Sequence, residues 1–195
     1  SSFVSPGGVA HSVVAVADGH VIAGEYRTVA SYGGDAGVQS SNGNTQDFFV
    51  AHVKSDGSVL FQVGYGGLGS DWVNSVTVDD NGDVYVAGYS SEYATFGLAQ
   101  NKFNFATSYT TQDAGIVAKL DGKTGAVLWS QAFTNGRFTY GCSQIDFDSG
   151  HLVASCGMGA SQSFVGADGG TGAITANQAA AASVYELDAA TGRVN

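Results

Sequence analysis

The residues of this chain best placed to do chemistry are few, and each has a structural alternative. Asp79-Asp80-Asn81-Gly82-Asp83 gathers three carboxylates on one tight turn, and calcium favours such a set of oxygen donors. Asp79, Asp80 and Asp83 are therefore candidate calcium ligands. Against that, a hairpin turn is needed here in any case, and the segment lacks the trailing Glu of an EF-hand loop. No other cofactor is expected. His11, His20, His52 and His151 fall in no His-x-x-x-His spacing and no Cys-x-x-Cys is present, so zinc is not expected. Gly-x-Ser-x-Gly is absent, and no residue is assigned as catalytic.

What would position these residues is a sequence that repeats. Asn74 to Gly88 is echoed by Ser12 to Gly24 and, more loosely, by Ser143 to Ser155. A second block follows each copy, at Asp47 to Gly57, Asp113 to Gly125 and Ser183 to Gly192. Gly24 to Gly88 is 64 residues, Gly88 to Ser155 is 67 and Gly125 to Gly192 is 67. A long repeat made of two hairpins predicts one β-propeller blade per copy, in an all-β chain. The blades are expected at about 9–67, 68–135 and 136–195, the last strand of the third being incomplete. A ring needs about four to eight blades, so the three are expected to belong to a larger propeller, or to a short array completed by neighbouring chains.

Each copy shows four apolar stretches with turn residues between them. In the second copy these are Trp72 to Val78, Val84 to Tyr89, Gly115 to Leu120 and Ala126 to Phe133. Alternate residues Val14 and Val16, Val76 and Val78, and Ile145 and Phe147 point into one interface. If Asp148-Ser149-Gly150 is a three-residue turn, residues whose numbers sum to 298 face one another, and Cys142 and Cys156 are such a pair. Directly opposed residues lie close enough in a twisted hairpin to join, so a Cys142–Cys156 disulfide is expected. Two buried free thiols are the alternative.

Ser12, Asn74 and Ser143 are read at one repeat position, at the start of the innermost strand, where they line a central channel or are simply solvated there. Insertions of about 20 residues separate the second and third strands, near 26–46, 90–112 and 157–181. Loops this long are candidates for binding. The second carries Tyr93, Phe96, Phe103, Phe105 and Tyr109, rings that offer a protein- or glycan-binding surface or pack over a blade edge.

Composition narrows the partners. A net charge of −10 with seven Lys and Arg excludes nucleic acid, whose phosphates require a basic surface. No apolar run approaches the roughly 20 residues that span a bilayer, so no membrane insertion is expected.

Tyr65-Gly-Gly-Leu-Gly-Ser-Asp71 followed by Asp79-Asp-Asn-Gly-Asp-Val-Tyr-Val-Ala-Gly88 resembles the SBBP repeat, a β-propeller repeat of secreted bacterial proteins. Asp113-Ala-Gly-Ile-Val-Ala-Lys-Leu120 and Asp47-Phe-Phe-Val-Ala-His-Val53 are similar to its third element. The third copy lacks the Gly-Ser-Asp opening and the Val-Ala-Gly ending. The resemblance implies a secreted or surface propeller, usually without catalysis. Leu120-Asp-Gly-Lys-Thr-Gly-Ala-Val-Leu-Trp129 and Leu187-Asp-Ala-Ala-Thr-Gly-Arg-Val194 also resemble the tryptophan-docking motif of pyrroloquinoline quinone dehydrogenases, itself a device for locking blades. The expectation is a non-catalytic extracellular propeller that contacts protein or glycan. The alternatives are a subunit of an assembly and an enzyme, hydrolase or quinoprotein, with its site in the channel.

Overall fold

The structure, a computed structural model, describes residues 8–27, 29–31, 38–40, 45–66, 69–91, 114–134, 141–158, 161–165, 170–175 and 181–195. No helix occurs among them. Their strands, in chain order, are β1 (Gly8–Val16), β2 (Gly19–Tyr26), β3 (Val29–Ser31), β4 (Val38–Ser40), β5 (Asp47–Lys54), β6 (Val59–Tyr65), β7 (Asp71–Val78), β8 (Val84–Ser90), β9 (Ala114–Leu120), β10 (Val127–Thr134), β11 (Cys142–Asp148), β12 (His151–Met158), β13 (Ser161–Val165), β14 (Thr171–Thr175) and β15 (Ala181–Leu187).

The first sheet has the order β1-β2-β5-β6 and the third β11-β12-β15. The second holds β7-β8-β9-β10 and is extended by β13 and β14, joined to β10 through the single pair Thr134 and Ser163. All of these pairings are antiparallel. Short hairpins thus form within two of the expected insertions: β3 pairs with β4 in the first, and β13 with β14 in the third. The sheets do not close into a ring among the described residues. The fold is an all-β stack of propeller sheets.

Face-to-face packing makes the core. Val21, Ala23, Phe48 and Val50 of the first sheet meet Val76, Val86, Ile116 and Leu120 of the second. Tyr85, Ala87, Val117 and Phe133 on the other face of the second sheet meet Ile145, Leu152, Tyr185 and Leu187 of the third. Burying one such valine or leucine contributes about 1.5–3 kcal/mol, and the repeat supplies it at the same positions in successive sheets. Every residue of β8 is buried, because it has a sheet on either side. In β12 burial alternates from Leu152 to Ala154 to Cys156, with exposed or half-buried residues between.

The hairpin from β11 to β12 differs from the expected geometry. Its turn is two residues, Ser149 (φ 51°) and Gly150 (φ 88°), both left-handed as the tight hairpin turn of the primed kind requires. Asp148 therefore faces His151, and the register near the turn is one residue away from that expected. A β-bulge between Cys142 and Gln144 restores it, and Cys142 faces Cys156 after all. The two are joined as a disulfide, with Cα atoms 3.8 Å apart.

Candidate functional site

The same bulge occurs in the first strand of each of the three sheets. It lies between Ala10 and Ser12 in β1, between Val73 and Ser75 in β7 and between Cys142 and Gln144 in β11. The extra, unpaired residues are His11, Asn74 and Ser143. Ser12 therefore matches Ser75 and Gln144, one place beyond the bulge, and the structural counterpart of Asn74 and Ser143 in the first sheet is His11. A bulge bends the strand and lets its neighbours approach closely. Opposite it, a Cβ on Gly24 or Gly88 would lie 2.0 Å from the carbonyl oxygen of Val9 or Trp72, so glycine is required there. In the third sheet Cys156 takes the place of that glycine, and the close approach carries the disulfide instead.

Polar residues of these first strands bind one sheet to the next. The Val76 N–H donates to Ser12 Oγ at 3.1 Å, and the Ile145 N–H to Ser75 Oγ at 3.2 Å. Equivalent serines thus accept equivalent backbone protons across two successive interfaces. Asn74 Nδ2 donates to the carbonyl of Cys142 at 3.0 Å. Ser143 bonds within its own sheet, its Oγ lying 3.0 Å from Ser155 Oγ. His11 Nε2 lies 3.5 Å from Glu25 Oε2, whose other oxygen accepts from Gln46 Nε2 at 2.7 Å.

At the far end of the sheets, the turn between the third and fourth strands of one sheet caps the sheet before it. Tyr65 donates its hydroxyl proton to the carbonyl of Gly125, and Trp129 Nε1 donates to the carbonyl of Ala189 at 3.0 Å. In both turns an aspartate sets the geometry. Asp121 Oδ1 accepts from the Lys123 and Thr124 N–H groups and the Thr124 hydroxyl, and Asp188 Oδ1 from the Ala190 and Thr191 N–H groups and the Thr191 hydroxyl. The threonine bonds, foremost, hold both carboxyls below the ordinary range. The segments that resemble a tryptophan-docking motif thus lock one sheet to another.

The acidic turn at 79–83 is built around a cation that the chain supplies. Lys119 Nζ lies 3.0 Å from Asp79 Oδ2 and 3.1 Å from Asp83 Oδ2, and 5.0 Å from the centre of the Tyr85 ring. The Tyr85 hydroxyl is 3.0 Å from Asp79 Oδ2 and 3.3 Å from the Ala189 carbonyl, so this cluster reaches the third sheet. Burial pushes the Asp79 carboxyl up, but bonds from Lys119, Tyr85 and the Asp83 N–H outweigh it and hold the carboxyl below its ordinary value. Burial likewise opposes the Lys119 ammonium, and Tyr85, Asp79 and Asp83 more than offset it. Tyr85 is pushed up to about 12, chiefly by burial. Asp80 is exposed on the turn. Among the described residues no group of three or more His, Cys, Asp or Glu is arranged to hold a metal ion.

Lys119 was not among the residues singled out by sequence, although the repeat carries its signal. His52, Lys119 and Glu186 hold one position, and each pairs with the first hairpin of its own sheet. His52 Nε2 meets Asp18 Oδ1 at 3.0 Å and His151 Nδ1 meets Glu186 Oε1 at 3.1 Å. In the third sheet the acid and base have exchanged strands. His151 is exposed at the turn exit and His20 is half-buried. Tyr93, Phe96, Phe103, Phe105 and Tyr109 lie outside the described residues. No helix among the described residues is long and apolar enough to cross a membrane.

Stacked antiparallel sheets, joined at both ends by repeat-encoded bonds, define a β-propeller module. Residues 62–93, spanning β6 to β8, match the family model of the SBBP β-propeller repeat. No curated protein matches the chain.

Proposed function

We propose that this chain is a non-catalytic structural and interaction module of an extracellular β-propeller, organised as blades at about 9–67, 68–135 and 136–195, and that it contacts a protein or a glycan through the insertions between the second and third strands. One observation carries the reading: residues that could do chemistry are engaged in holding the sheets. Lys119 neutralises Asp79 and Asp83, Ser12 and Ser75 receive backbone protons from the next sheet, and Asp121 and Asp188 shape turns. The disulfide supports an oxidising compartment, and acidity suits a soluble surface module. The test replaces Tyr93, Phe96, Phe103, Phe105 and Tyr109 together by Ala and measures binding to a panel of defined glycans and to surface proteins of the source cell. Binding by the parent, lost by at least tenfold in the variant with unchanged thermal stability, is the expected result. Unchanged binding would sink the assignment of the second insertion.

The His11–Glu25 pair beside the first bulge favours a second reading, an enzyme acting at the inner strands. It predicts turnover of an ester or glycoside panel that His11→Ala abolishes; no turnover by the parent protein removes it.

A further inference from the structure

The hairpin within the third insertion leaves the second sheet with an unguarded edge. β13 and β14 extend that sheet beyond β10, and β14 is its last strand. Phe164 of β13 anchors the hairpin, its ring centre 5.4 Å from that of Tyr185 and 6.4 Å from that of Phe133. On β14, Ala173, Ile174 and Thr175 are all exposed. Successive side chains of a strand point to opposite faces, so both faces here stand in water. Among the described residues no strand pairs with the outer side of β14. Such an edge is ordinarily blunted by charge, by a bulge or by a covering segment. The other edge strands differ from it: β1, β7 and β11 are bulged, Val194 and Asn195 return along β15, and β6 buries Phe61, Gln62 and Tyr65. β14 has no register shift against β13 and no charged residue. Between His151 and Glu186 the sequence holds one charged residue, Asp168.

We propose that β14 pairs antiparallel with β14 of a second copy of this chain, about a twofold axis at Ala173, so that two six-stranded sheets become one. Charge selects a second copy as the occupant. Chains of net charge −10 repel one another, and this edge brings them together where neither presents a charge. Backbone geometry fixes the register. In an antiparallel pair, alternate residues turn their N–H and C=O outward and must meet residues that do the same. In a strand paired with itself only residues of like parity can therefore meet, and the register centred on Ala173 overlaps all of Thr171–Thr175. That register sets Ile174 of each copy opposite Gly172 of the other. A Cβ on Gly172 would lie 2.5 Å from Phe164 Cε2, so the Phe164 ring reaches over the glycine toward the edge, and the incoming Ile174 covers it. One pair of five-residue strands buries little surface, so association is weak, with a dissociation constant on the order of 100 µM. Twofold pairing occupies both edges at once and closes at the dimer. The proposal extends the interaction reading to the third insertion and does not depend on the aromatic residues of the second.

Sedimentation equilibrium from about 10 µM to about 1 mM brackets that constant. The expected result is a reversible monomer–dimer equilibrium that Ile174→Lys weakens at least tenfold while the thermal melt is unchanged. Thiol cross-linking reads the register. Under mild oxidation Ala173→Cys should join to itself across the axis, where directly opposed Cβ atoms lie about 4.5–5.5 Å apart, and Thr175→Cys, opposite Thr171, should not. A monomer throughout, a dimer indifferent to Ile174→Lys, or equal cross-linking at positions 173 and 175 would each overturn the proposal. So would Ala173→Cys joining a different protein of the source cell in place of a second copy, which assigns the edge to a foreign strand. Loss of binding in the aromatic variant leaves this dimer intact, so the two readings fail separately.

Discussion

Tyr85 and Val153 occupy the same place in successive repeats, yet Tyr85 is fully buried between two sheets while Val153 is 37% exposed. The same holds for the ion pairs beside them. Lys119 and Asp79 are 11% and 5% exposed at their side chains, whereas His151 and Glu186 are 69% and 54% exposed. The second sheet shows what the repeat does with a neighbour on each side; the third shows the same pattern with one side open. Burial, and with it the strength of each electrostatic contact, is therefore set by the stack rather than by a repeat alone.

The largest expected effect is in the apolar layer. Phe133→Ala removes a fully buried ring that stacks on Tyr185 with centroids 4.3 Å apart and should cost about 3–5 kcal/mol. Val184→Ala should cost less than about 0.5 kcal/mol. Urea denaturation of both variants measures the contrast, and similar losses would break it.

The ion pairs should differ nearly as much. Lys119→Ala leaves Asp79 buried without its partner and should cost about 3–5 kcal/mol, whereas His151→Ala should cost less than about 1 kcal/mol. The pH dependence follows in sign. Asp79 is held below its ordinary value of 3.8, so its contribution is present above that pH and lost as pH falls through the lower folded value. Tyr85 is raised from 10.0 to about 12 and Lys119 is raised from 10.5, so their contributions are present below pH 10 and lost as pH rises through the folded values. Thermal melts across pH should fall at both extremes, and Lys119→Ala should flatten the acid limb, because Asp79 then loses the cation that holds it low.

Reducing the Cys142–Cys156 disulfide, with 14 residues of sequence separation, should cost about 3 kcal/mol. The loss should appear first in β11 and β12, as faster amide exchange there than in β7 and β8. A smaller effect than that of reduction is expected of Ser75→Ala, about 1 kcal/mol, which loosens the first-strand side of the interface between the second and third sheets. A double-mutant cycle with Phe133→Ala reports whether both ends of that interface act together.

Much of the fold was legible because the repeat encodes it. Strand positions and the alternation of Val76 with Val78 follow from spacing and periodicity, whereas the Cys142–Cys156 pairing, expected from a three-residue turn, holds because a two-residue turn and the bulge offset one another. The bulge was not foreseen, although its trace is present. Val73, Val76 and Val78, like Cys142, Ile145 and Phe147, break strict alternation by one residue, as an extra residue in the strand requires. Missing it placed Ser12, rather than His11, beside Asn74 and Ser143. The role of Lys119 depends on two chain segments meeting in space, and a turn rich in aspartate reads as a metal loop until the lysine opposite is known.

Residue-resolved native-state hydrogen exchange on the 195-residue chain tests most directly whether a sheet of this repeat depends on neighbours on both faces. The prediction is that amides of β8 and β9 exchange only with global unfolding, while those paired between β12 and β15 open at clearly lower free energy. Equal protection in the two sheets would contradict the account, because each repeat would then hold its own structure whatever lies against it.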